Sequence, residues 1–342
     1  MRNAEWRRLP GAVLRILAVA VAYYVTGRIG LLQRVEVDGA IVTPLFLPTG
    51  IALSCLLRLG LRVWPGIALG SFLVIETLGS VDPGGLLIVA GNTLAPVCAA
   101  LLLRRVGFHF ALDRLGDGLA LVFLGGMVPM LISSTVGALV VMAASGHTFS
   151  GFWSFWAAWW AGDAMGVLVV TPLLLLLRRS ARLPRDPLWW LEAALLMASV
   201  VMVSLLVTRS SLDLLFLVFP LLIWAALRFQ LAGAAPCVLL VSVLAISAAT
   251  DRVGPFAGRT LFEIMVNLQA LNGSVALTGL LLSALVTEQQ TVRARIEQAC
   301  LEMAELVDRL VPGGSSGSWR PSDWGDGPQD GAGDDGCGPG SG

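Results

Sequence analysis

Residues 155–177 read FWAAWWAGDAMGVLVVTPLLLLL, an apolar run with a single ionisable side chain, Asp163. A helix that crosses a bilayer needs about 20 mostly apolar residues, and this stretch supplies them. Nine further segments of the same character surround it, at 11–32, 41–58, 62–78, 84–103, 118–142, 188–208, 212–228, 233–250 and 261–286. The pattern predicts an all-α fold, a polytopic integral membrane helix bundle. The second and third segments are short and separated only by Leu59 to Leu61. They also suit one re-entrant pair, which would leave eight full spans instead of ten. Pro48 and Pro65 lie near the starts of their segments, as suits proline in a first helical turn.

Composition points the same way. Of 342 residues, 56% are hydrophobic and 13% charged. Soluble domains run nearer 25% charged, and the apolar content excludes disorder over most of the length. The formal net charge is zero and every basic side chain is Arg, a poor match to a nucleic-acid binder. The expected partner is the lipid bilayer. With the N-terminus inside, inner loops and termini hold 17 Arg and outer ones 5. That alternation predicts a multi-pass protein of the plasma (inner) membrane with both termini cytoplasmic. Arg2, Arg7 and Arg8 precede the first run, which lacks a small-residue cleavage site and reads as a retained span. Arg58, Arg62, Arg178, Arg179 and Arg228 at inner helix ends read as snorkelling topology determinants.

Catalytic and metal chemistry have little to work with. The five cysteines form no CxxC pair, and His109 and His147 are far apart, so no metal site and no cofactor are expected. Neither an HExxH helix nor a GxSxG elbow occurs. No catalytic residue is assigned, and the chain is expected not to be an enzyme.

Ionisable and amide groups inside spans are expensive, and they are functional candidates for that reason. Asp163 leads, flanked by Trp159 and Trp160, with Gly162 and Gly166 four apart so that another backbone can approach. Thr49 follows Pro48 in the second segment, Glu76 ends the third, and Asn92 lies in the fourth. Glu263, Asn267, Gln269 and Asn272 lie in the tenth. The expected orientation places most of these in the outer half of the bilayer, as the lining of a polar cavity open to the exterior. The sensing assignment is Asp163, Asn92, Thr49, Trp160 and Glu76. Gly162, Gly166, Pro48 and Pro65 are assigned to helix packing. Trp153, Trp156, Trp159 and Trp160, with Phe149, Phe152 and Phe155, suit an aromatic belt at the headgroups or the wall of a ligand pocket.

From Val286 the chain turns polar, while Val292, Ile296, Ala299, Met303, Leu306 and Leu310 keep a heptad-like seam. The expected organisation is a membrane domain at 1–286, a cytoplasmic helical stalk or short coiled coil at 287–311, and a disordered tail at 312–342. That tail holds 11 Gly in 31 residues. The seam is compatible with a homodimer through the stalk.

The order of motifs carries a resemblance. Pro48-Thr49-Gly50-Ile51-Ala52-Leu53 and Trp64-Pro65-Gly66-Ile67-Ala68-Leu69-Gly70 come first. Gly91-Asn92-Thr93-Leu94 and Ser133-Ser134-Thr135-Val136-Gly137 follow, then the Trp159–Gly166 run with Thr171-Pro172-Leu173. Phe219-Pro220, Ala225-Ala226-Leu227-Arg228-Phe229 and Gly254-Pro255-Phe256 complete the series. Over residues 12–290 it resembles the first family of membrane-associated sensor (MASE) domains of bacterial signalling proteins. One departure stands out: Ala95-Pro96 occupy a place where the family pattern often has an acidic residue. The resemblance implies a membrane-embedded sensory input module. Its last span would pass a signal to a cytoplasmic output partner of the histidine kinase, GGDEF/EAL cyclic-di-GMP or PP2C phosphatase type. No such output module appears in this sequence, which suits either a separate partner or a shortened form of a longer protein. A secondary transporter or permease is the alternative, since short helices and intramembrane carboxylates would serve one too.

Overall fold

The computed structural model describes residues 9–32, 35–37, 40–79, 82–145, 149–177, 186–210 and 214–310. The expected tail at 312–342, His147, Arg178 and Arg179 lie outside them. The chain divides into two units, Met1–Thr291 and Val292–Gly342.

The first unit is a helix bundle. Its helices are α1 (Leu9–Leu32), α2 (Leu47–Leu59), α3 (Trp64–Glu76), α4 (Pro83–Arg105), α5 (Leu115–Ala120), α6 (Val128–Ser145), α7 (Phe149–Leu177), α8 (Pro187–Arg209), α9 (Val218–Phe229), α10 (Leu231–Thr250) and α11 (Leu261–Leu310). A π-helical stretch, Leu121–Met127, joins α5 to α6. Each apolar segment of the sequence therefore holds a helix. One small element departs from the all-helical expectation: Val35–Val37 (β1) and Ala40–Val42 (β2) pair antiparallel, with Glu36 opposite Ile41.

Seven helical runs are long and apolar enough to cross a membrane. They are α1, α4, the α5–α6 run, α7, α8, α10 and α11. Full-length spans among the described residues are thus fewer than the expected eight or ten, because three segments hold short helices instead. The segment expected at 41–58 is helical only from Leu47, since Pro44 favours extended backbone before it and offers no N–H. At about 1.5 Å per residue, the 13 residues of α2 and the 13 of α3 each reach roughly 20 Å, short of a hydrocarbon core of about 30 Å. Gly60, at φ 93°, makes the sharp turn between them in a conformation that side chains with a Cβ resist. The segment expected at 212–228 becomes helical at Val218, after a 3₁₀ turn at Leu215–Leu217.

Polar ends are capped locally. Asp82 accepts from Gly85 N at 2.7 Å at the start of α4. Asp186 accepts from Leu188 N at 3.0 Å at the start of α8. Thr260 and Glu263 form a reciprocal capping box on α11: Glu263 Oε2 accepts from Thr260 N at 2.8 Å, and Glu263 N donates to Thr260 Oγ1 at 3.4 Å. The core runs through the bundle on Tyr23, Leu53, Leu56, Ile67, Leu103, Leu121, Met130, Leu196, Leu222 and Ile246, each fully buried.

Small residues set the closest approaches. A Cβ on Gly166 would run into the Phe46 carbonyl, and one on Gly162 into the Thr43 carbonyl. Both glycines of α7 thus admit the segment that leads into α2. Gly66 and Gly70 do the same for α3 against Ile16 and Tyr23 of α1, a pairing not assigned from sequence.

In the second unit, the described residues Val292–Leu310 are helical. Val292, Ile296, Met303 and Leu306 are all exposed there.

Candidate functional site

Asp163 is 2% exposed, on α7. Its Oδ1 accepts from Thr49 Oγ1 at 2.8 Å, and its Oδ2 from Ser133 Oγ at 2.6 Å. Thr49 is placed by the first turn of α2, where Pro48 occupies a position whose N–H has no helical partner in any case. Ser133 comes from the second turn of α6, beyond the π-helical stretch. Trp159, one turn before Asp163, donates its indole N–H to Ser133 Oγ at 3.2 Å. Asn92 of α4 reaches Ser133 Oγ at 3.0 Å on one side and Ser71 Oγ of α3 at 3.3 Å on the other. The Tyr23 hydroxyl of α1 meets Ser71.

Six helices, α1, α2, α3, α4, α6 and α7, therefore send one polar chain toward a single carboxyl group. A serine hydroxyl has one proton, and the 2.6 Å contact gives that of Ser133 to Asp163. Asn92 donates its NH₂ to Ser71 Oγ and turns its Oδ1 toward Ser133 Oγ. These partners are neutral hydroxyls, an amide and an indole. Among the described residues, burial of the carboxyl is offset by hydrogen bonds rather than by a counter-ion. Ala95 and Pro96, where an acidic residue was noted as missing, are both buried in α4.

The assigned residues part company here. Asp163, Thr49 and Asn92 meet in the hub. Trp160 stacks on Trp156 at 6.1 Å and donates its N–H to the Met127 carbonyl at 2.8 Å, at the end of the π-helical stretch. It is Trp159 that reaches the hub. Glu76 is exposed at the last turn of α3. The hub is closed: Thr49, Ser71, Ser133 and Asp163 are each buried, so they form a packed junction and not the lining of the open cavity expected. Pro48 is buried and Pro65 half-buried, each in the first turn of its helix. Phe152 and Phe155 are buried with Met265 of α11, while Trp153 is 63% exposed. An interfacial position thus suits Trp153 and not the two phenylalanines.

The tenth segment divides similarly. Glu263 is spent on its cap. Gln269 donates to the Pro44 carbonyl at 3.1 Å, in the segment that carries Thr49 into the hub. Gln269 Oε1 and both amide atoms of Asn272 are buried without a hydrogen-bond partner among the described residues. Further along α11, Glu288 accepts from Leu115 N at 2.8 Å and so caps α5. Gln290 bonds to Gln230 at the start of α10. Arg58 and Arg104 donate to the Leu174 and Leu56 carbonyls, so these two also bridge helices. Among the described residues no group of three or more His, Cys, Asp or Glu is placed to hold a metal ion.

Against known proteins, a family model described as MASE1 matches residues 15–290. A probable diguanylate cyclase, DgcE, of Escherichia coli (strain K12) is 27% identical over 231 residues, which cover 64% of this chain and 20% of that protein. The chain thus spans about a fifth of the length of that curated relative. No solved structure matches the chain.

Proposed function

We propose, from the premise that the chain belongs to the MASE1 family of membrane sensory input domains, that its sensing element is the hub around Asp163. The observation that carries this reading is a polar network drawn from six helices around one buried carboxyl group, with no counter-ion among the described residues. A buried ionisable group in a bundle is a switch point, because a change in its partners alters the relative positions of every helix that bonds to it. The change reaches α11 through the Thr43–Thr49 segment, which touches Asp163 at one end and Gln269 at the other. It then passes along α11 to a cytoplasmic output. Both termini lie on the cytoplasmic side, as the Arg distribution suggests.

The output is an enzyme of cyclic-di-GMP synthesis, by analogy with the diguanylate cyclase relative. A histidine kinase or PP2C-type phosphatase is the other kind of partner this arrangement would serve. Catalysis belongs to that module, and the membrane bundle itself performs none. The exposed seam of Val292, Ile296, Met303 and Leu306 pairs with a second copy of the chain as a parallel coiled coil.

The test is a fusion of residues 1–310 to a reporter diguanylate cyclase, with wild-type and Asp163→Asn forms compared for nucleotide output and for melting in detergent. The expected result is a folded variant whose output differs by roughly 5-fold or more, the low end of typical coupling. A folded variant with unchanged output overturns the role of Asp163.

A further inference from the structure

One helical run, Leu115–Ala144, touches both the hub and the far part of α11. At its start, Leu115 N donates to Glu288 of α11 at 2.8 Å. Further on, Ser133 donates to Asp163. Between the two lies the π-helical stretch Leu121–Met127, which ends with the Val128 N–H reaching back five residues, to the Phe123 carbonyl. Such stretches are rare, and they gather at functional sites. We propose that this stretch is a register switch, whose exchange between π- and α-helical bonding carries a change at the hub to residues Leu281–Glu288 of α11. This rests on the sensory reading of Asp163 and adds a second route to that of the Thr43–Thr49 segment.

The step is a fixed size. A π-helical turn takes up one residue more than an α-helical turn. Re-bonding the same residues as α-helix turns α5 by about 100° and moves it by about 1.5 Å relative to α6. Neither contact of α5 with α11 tolerates that. Gly118 faces α11, and a Cβ there would meet Leu281 Cδ2 at 3.2 Å and Ala284 Cβ at 3.6 Å. A shift of one residue brings Asp117 or Leu119 to that place, and α11 has to yield. The Leu115 N–H moves by the same step, which exceeds the tolerance of its bond to Glu288.

The hub's own helix holds the stretch in its present state. Trp160 of α7, three residues before Asp163, donates its indole N–H to the Met127 carbonyl at 2.8 Å. Gly126 lies against Ala164 and Leu168 of α7, with its nearest neighbours at 3.6 Å. A movement of α7 that follows new partners at Asp163 therefore acts on the stretch directly. Gly125 and Gly126 bring no side chains that must repack, so re-bonding meets less resistance here than elsewhere in the run.

The first test reads register. In a full chain freed of its five cysteines, spin labels at the exposed Leu119 and Leu139 report their separation in detergent by double electron–electron resonance. The parent chain should give one dominant distance. Trp160→Phe, which keeps an aromatic ring and removes the N–H, and Asp163→Asn should each populate a second distance, displaced by several Å. An unchanged distribution in both variants overturns the switch. The second test removes the surplus residue. Deletion of Gly126 should give a monodisperse protein with an α-helical stretch and both end contacts kept, whereas deletion of the buried Ala245 in α10 should abolish recovery. In the cyclase fusion, the roughly 5-fold effect of Asp163→Asn should fall below about 2-fold once Gly126 is deleted. Equal recovery of the two deletions, no recovery of the Gly126 deletion, or an undiminished effect of Asp163→Asn within it would each overturn the switch and leave the sensory role of Asp163 standing. A second label distance with no effect of Asp163→Asn on output would do the reverse, removing the sensory role and keeping the switch.

Discussion

Asp163 and Asn272 are buried to nearly the same degree, 2% and 0% exposed, and the bundle treats them in opposite ways. Around Asp163 each buried polar atom has a partner, and the partners come from helices far apart in sequence. Asn272 has neither of its amide atoms bonded, and Gln269, one turn earlier, has one of its two unbonded. A hydrogen bond between membrane helices is worth about 0.6 kcal/mol on average, whereas a buried group left unpaired costs about 1–3 kcal/mol. The hub therefore holds its helices in one arrangement, and the amides of α11 leave free energy to be gained by any arrangement that pairs them. Of the six buried side-chain atoms without a partner among the described residues, three lie on Gln269 and Asn272 of α11, and the others on Asp117, Ser204 and Ser242 of α5, α8 and α10.

The strongest test of this contrast is to remove the close approach on which the hub depends. Gly166→Leu places a side chain where the Phe46 carbonyl lies. It is expected to abolish recovery of a monodisperse protein, read by size-exclusion chromatography in detergent, while Gly11→Leu, with open space around it, is expected to leave recovery intact. Next comes Asp163→Ala, which strands Thr49 and Ser133. A loss of about 3 kcal/mol is expected from thermal or denaturant unfolding, and a loss under 1 kcal/mol would mean that the hub holds nothing together.

Opposite signs for the two asparagines sharpen the contrast further. Asn92→Leu should destabilise by about 1–2 kcal/mol, because it leaves Ser133 and Ser71 without a shared partner. Asn272→Leu should stabilise by about 1 kcal/mol, because it removes an unpaired amide without removing a bond. The same direction for both would erase the distinction. The smallest effect concerns the start of α11. Thr260→Ala removes half of its capping box and should cost about 0.5–1 kcal/mol, visible as faster amide exchange confined to the first turn.

Parts of the hub were legible in the sequence because intramembrane polarity is costly and therefore visible. Asp163 was conspicuous as the lone charge in its run, and Thr49 and Asn92 stood out beside proline and glycine. Ser71, Tyr23 and the choice of Trp159 over Trp160 were not legible. Serine and tyrosine are common in apolar helices, and the two indoles are adjacent, so only the rotation of α7 decides which faces Ser133. Glu263 misled for a different reason. The Thr260-x-x-Glu263 spacing is a capping signature, but beside Asn267, Gln269 and Asn272 it also read as one of several cavity groups. Glu76 lies exposed at the end of α3, a position that polarity alone does not reveal.

The sequence by itself determined the solvent and the family. Ten apolar runs with few charges can hide their backbone polar groups only as helices in a bilayer, and the ordered motifs match the MASE1 model over residues 15–290. Tertiary structure decided which runs became half-length helices, which glycines touch a neighbour's backbone, and that Asp163, Thr49 and Asn92 meet in one packed junction. Composition and periodicity act along one helix at a time. The partners of Asp163 lie 114 and 30 residues away in the chain, and their meeting depends on how the helices are rotated against one another.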